Sequence, residues 1–172
     1  MQPHEGATDK EQKAPRRRKA PGPARPAALS RAEALERRLL DRMCGADEAV
    51  RWAAADRVRR SVLLPVGRLV LGLAERLLAG PAAVSRAAQA SLVQLGDSAV
   101  PALTARLMNA RAPAEQLALV ETLFWVGEGA SGTRRVGLVL DLAAAKRKCW
   151  AADGAVVAAL NGAIIGLRWL TV

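Results

Sequence analysis

The chain has 172 residues, 51% of them hydrophobic, chiefly Ala, Leu and Val, which is enough for one packed domain. With no Tyr and a single Phe it lacks the aromatics that strands favour, whereas Ala and Leu lead the helix scale, so an all-α class is expected. A formal charge of +10 favours solubility and weak attraction to polyanions, and the only histidine, His4, excludes Ser-His-Asp, Cys-His and His-built metal chemistry.

Residues 1–28 hold seven Lys and Arg against three acids, and five of the nine prolines. So few large apolar residues cannot offset the entropy of ordering, and a disordered basic, Pro-rich tail is expected, with a helical domain over 29–172. No apolar leader occurs at the N-terminus, and Cys44 and Cys149 form no C-x-x-C, so a cytoplasmic protein with reduced thiols is expected. The domain opens on Ser30 with Glu33 three residues on, the spacing of a capping box, and Leu35, Leu39 and Met43 mark one helix face up to Cys44. Asp47 caps a second helix with Val50, Ala54, Val58 and Leu63 on its apolar side. Pro65 and Gly67 break that run before a helix that Gly80 ends, and Pro81 suits the first turn of the next. Val84, Ala88, Ser91, Leu92 and Leu95 share a face there.

In "VQLGDSAVPALTARL" (93–107), Gly96 supplies a left-handed helix stop and Asp97 or Ser98 a cap. Pro101 then falls in a first turn, where few backbone bonds are lost, and Val100, Leu103 and Leu107 form the inner face. This reads as a turn between two antiparallel helices. Gly67, Gly96 and Gly127 stand 29 and 31 residues apart, and a helix-pair period near thirty is the mark of an α-solenoid. "DEAVRWAAADRV" and "LVQLGDSAVPALTARL" resemble the first helix and the Ala-Val-Pro-Ala-Leu turn of HEAT-like repeats of the phycobilisome-lyase type, over about residues 47–127. The Val-Arg pair of the first unit is replaced by Val-Ser at 84–85. The resemblance implies a right-handed stack of about four helix pairs, armadillo-like, that binds other macromolecules. It carries over no lyase residue.

Asp47 and Asp97 are accounted for by caps, and Glu36, Glu75 and Glu121 by polar faces. "GEGASG" (127–132) has neither the preceding strand nor the following Lys-Ser/Thr of a phosphate loop and reads as an inter-repeat turn. The protein is therefore expected to be no enzyme and to take no cofactor or metal. Lys146, Arg147 and Lys148 suit a helix C-terminus. "LVQLGD" (92–97) also fits the Leu-x-x-x-Gly-Asp pattern of BH3 segments, but the helix stop at Gly96 is the simpler reading. The four Trp residues are scattered and make no stacking platform.

Three functions remain. The first is a scaffold for an unknown protein partner. The second is a nucleic-acid-associated protein, or one drawn to an anionic surface, with Arg16, Arg17, Arg18 and Lys19 of the tail joined by an Arg57, Arg59, Arg60 patch. The third is an adaptor anchored in a membrane by 154–172, where Gly162 and Gly166 form a G-x-x-x-G. That uncharged run ends at Leu167, short of the roughly 20 residues a bilayer needs, so a buried terminal helix is preferred.

Overall fold

The computed structural model describes residues 30–148 and 153–170. All regular elements among them are helical: α1 (Arg31–Met43), α2 (Glu48–Arg60), α3 (Val66–Ala79), α4 (Ala82–Leu95), α5 (Val100–Asn109), α6 (Pro113–Glu128), α7 (Gly132–Lys148) and α8 (Gly154–Trp169), with a 3-10 turn at Gly96–Ser98. The expected tail, with Arg16, Arg17, Arg18 and Lys19, lies outside the described residues, as does Cys149.

The starts of α1 and α2 follow the sequence closely. Ser30 N–H donates to Glu33 Oε2 at 2.8 Å and Glu33 N–H to Ser30 Oγ at 3.3 Å, a closed capping box. Asp47 Oδ1 accepts from Val50 N–H at 3.2 Å. Short connections at 44–47, 80–81 and 110–112 join α1 to α2, α3 to α4 and α5 to α6, and helices so joined and packed together run antiparallel. The fourth pair is α7 with α8. Successive pairs stack with α1, α3, α5 and α7 side by side in one layer and α2, α4, α6 and α8 in the other. The result is a two-layer α-solenoid of four helix pairs.

The repeat differs in register from the glycine spacing. The odd-numbered helices begin at residues 31, 66, 100 and 132, a period of 32 to 35 residues. Gly67 lies in the first turn of α3 and Gly127 inside α6, so neither is equivalent to Gly96. The stretch around Gly96 joins one pair to the next rather than the two helices of a pair. Gly96 does take positive φ, +57°, but with ψ at −135° it stops the helix outside the left-handed helical conformation expected of it. Neither Asp97 nor Ser98 caps α5. The 3-10 turn runs straight into it, Ala99 N–H donating to Gly96 O at 2.9 Å, so the backbone meets its own need. Pro101 sits in the first turn of α5, whereas Pro81 precedes α4 as its N-cap residue.

Leucines dominate the core, with Leu69, Leu73, Leu92, Leu103, Leu107, Leu119, Leu123 and Leu142 essentially inaccessible. α2 stops at Arg60, so Leu63 falls in the following loop and is exposed, not on the apolar side of a helix; Val50 and Leu35 are also partly exposed. α8 buries Val156, Leu160, Ala163 and Leu167 against α6 and α7. No helix among the described residues is long and apolar enough to cross a membrane, and α8 is a partly buried helix packed on its neighbours. A Cβ on Gly127 would come within 2.8 Å of both Leu167 and Leu138, so α6, α7 and α8 meet there at glycine-only distance. Lys146, Arg147 and Lys148 close α7, and Lys148 Nζ donates to Met108 O.

Candidate interaction face

The even-numbered helices turn one stripe each away from the core. On α2 that stripe is Glu48, Trp52, Asp56 and Arg59, at i, i+4, i+8 and i+11. On α4 it is Arg86, Gln89, Ala90, Val93 and Gln94, and on α6 it includes Glu121 and Trp125. Trp52 and Trp125 are 58% and 46% exposed, and both line one groove of about 490 Å³ that runs over α4, past Arg86, Gln89, Ala90 and Val93. The tryptophans, separated by 73 positions in the sequence, are thus brought together by the stacking of α2, α4 and α6. The expectation of four unrelated indoles fails for these two.

Both indoles are held. Trp52 Nε1 donates to Glu48 Oε1 at 3.2 Å, one turn back on its own helix. Trp125 meets Phe124 edge-on, with ring centroids 5.4 Å apart and planes at 68°. Arg51 is anchored across the α1–α2 connection, donating to the carbonyls of Gly45 and Ala46 at 2.8 Å each. The groove continues in two directions. Toward the α2 C-terminus it opens into a depression of about 540 Å³ bounded by Trp52, Asp56, Arg59, Val93, Gln94 and Gly129. Toward the α1–α2 connection it meets one of about 570 Å³ between Arg51, Arg86 and Ala90. The Gln94 side-chain nitrogen is buried beneath this wall and has no hydrogen-bond partner among the described residues. A separate apolar hollow of about 360 Å³ lies between Leu117, Val120 and Phe124 of α6 and Ala159 and Gly162 of α8.

Arg57, Arg59 and Arg60 occupy the last turn of α2 and are exposed. Asp56 shares its carboxylate between two of them, with Arg59 Nη2 and Arg60 Nε each at 2.9 Å. The Arg59 hydrogen bond, then that of Arg60, holds the Asp56 carboxyl below its ordinary range. Two of the three arginines therefore share one carboxylate, and the patch adjoins the aromatic groove through Arg59. Burial pushes the half-buried Cys44 thiol up, against the reactive thiolate form. No group of three or more His, Cys, Asp or Glu side chains suited to a metal ion occurs among the described residues.

Comparisons with known protein families, with curated proteins and with solved structures gave no match.

Proposed function

We propose that this solenoid is a HEAT-like scaffold that acts by binding another protein, without catalysis, through the outer face of its even-numbered helices. The observation that carries the reading is the convergence of two exposed, oriented tryptophans on one groove. Exposed indoles on a monomer forgo burial that a partner would restore, and Trp and Arg dominate the energetics of protein contacts. Ala90 and Val93 leave room for a partner's side chains along the groove. Arg51 and Arg86 supply donors for its polar groups.

The test is co-purification with mass spectrometry, comparing the wild type with Trp52→Ala/Trp125→Ala and, as a control, with Trp169→Ala at the exposed end of α8. Proteins retained by the wild type and by Trp169→Ala should be lost from the double variant. An identical set from all three would sink the proposal. A nuclease-sensitive set would favour the nucleic-acid reading instead, which the Arg57, Arg59 and Arg60 cluster beside the groove supports.

A further inference from the structure

We propose that the loop between α2 and α3 is a membrane-contact site. It lays Val62 and Leu63 into the interfacial region of an anionic bilayer, with Arg57, Arg59 and Arg60 against the headgroups. Val62 and Leu63 are adjacent and 96% and 94% exposed, the most solvent-open of the large apolar side chains among the described residues. Turns between helices ordinarily carry Gly, Asn, Asp or Ser. Single exposed apolar residues are commonplace, but two together at a loop tip beside three cations are a composite feature.

The loop holds this pair outward. Leu64 packs partly buried against the core, and Pro65 stiffens the entry to α3. Leu63 N–H donates to Ser61 Oγ at 3.3 Å, and Val66 N–H to Leu64 O at 2.8 Å. The tip is thus anchored on both sides, and its two apolar side chains have nowhere to fold back.

Charge and polarity together select the occupant. A nucleic acid would satisfy the arginines but leave Val62 and Leu63 in water. An anionic bilayer offers both parts: negative headgroups at the surface and acyl chain within about 5–10 Å beneath it. The chain's charge of +10 brings it to such a surface. The loop residues lie outside the tryptophan groove, apart from Arg59, so this inference stands independently of the protein-binding one.

The experiment is flotation of the full chain with vesicles of phosphatidylserine and phosphatidylcholine, against vesicles of phosphatidylcholine alone. Val62→Ser/Leu63→Ser keeps every charge and should weaken binding by about tenfold or more, from the apolar area no longer buried. Arg57→Gln/Arg60→Gln should lose about fivefold for each arginine removed. Both variants should melt as the wild type does, because the altered side chains are exposed. Trp52→Ala/Trp125→Ala should bind the vesicles normally. Four results would each overturn the proposal: no binding to the anionic vesicles, equal binding to phosphatidylcholine alone, full binding by the serine variant, or loss of binding with the tryptophans. A dimer of the wild type that the serine substitutions dissociate would also overturn it, since the tip would then seat a second copy.

Discussion

Ser91→Ala removes one oxygen atom from the interior and should be among the more costly small changes in this protein. Ser91 Oγ donates to Met43 O at 2.6 Å, tying the middle of α4 to the end of α1 across 48 residues of sequence. Both residues are inaccessible to solvent. The Met43 carbonyl lies in the last turn of α1, where no further turn of helix can supply a donor. The nearby amides are committed elsewhere, Cys44 N–H to Leu40 O and Gly45 N–H to Arg42 O. Alanine keeps the shape of the site and takes away the donor, leaving a dry acceptor at a cost of about 1–3 kcal/mol. With a urea dependence of about 1–3 kcal/mol/M, the unfolding midpoint should fall by about 1 M. Ser85→Ala is the control: its hydroxyl donates to Leu77 O at 2.7 Å, but the site is only partly buried and water can take its place. A midpoint for Ser91→Ala equal to that of wild type, or of Ser85→Ala, would refute the claim that α1 is fastened here by a dry hydrogen bond.

Leu103→Ala, at a fully buried position of α5, should cost about 2–5 kcal/mol in the same melts. Arg106→Ala should cost about 1 kcal/mol or less, because its 2.7 Å pair with Glu115 of α6 is partly open to water. Gly96→Ala should cost about 1–3 kcal/mol, through the positive φ alone, since a Cβ there meets no neighbour; a neutral result would mean the turn can relax. Ala90→Leu should leave the melt unchanged while abolishing capture of proteins that depend on Trp52 and Trp125, because it narrows the groove at an exposed position. The carboxyls of Glu33 and Asp56 lie below their ordinary range, owing first to the Ser30 backbone and to Arg59 respectively. Their contributions are complete above the unfolded carboxylate pKa of about 4 and are lost as pH falls through the lowered values. Glu33→Gln should flatten that acid limb of a stability–pH profile.

The helices themselves were legible because each carries its own local signals. Ser30 with Glu33, Asp47, and the spacing of Leu39 and Met43 are decided within a few residues. Pair register was not legible, because it depends on what a glycine does rather than where it stands. Gly96 takes positive φ, Gly127 permits close packing of leucines, and Gly67 merely begins a helix. Read as equivalent, they gave a period near thirty and put a hairpin where one pair passes to the next. Leu63 continued an apolar spacing beyond the point where α2 had ended. The Arg106 ion pair was not legible within α5, because its partner, Glu115, belongs to the next helix. The groove was hidden for the same reason, since nothing within α2 or α6 alone indicates that stacking across α4 brings their indoles to one groove.

A solenoid separates these two kinds of information physically. Each helix spends one face on its neighbours, and core leucines such as Leu73, Leu103 and Leu123 determine only that the pairs stack. Once they do, the order of side chains across the even layer is fixed by geometry: Trp52, then Ala90 and Val93, then Trp125. The groove therefore arises from the stacking of three helices, not from a loop or a strained backbone. The two exposed indoles are restrained in the free protein, Trp52 by its hydrogen bond to Glu48 and Trp125 by its contact with Phe124. If the proposed partner binds there, that restraint lowers the entropy it would have to remove.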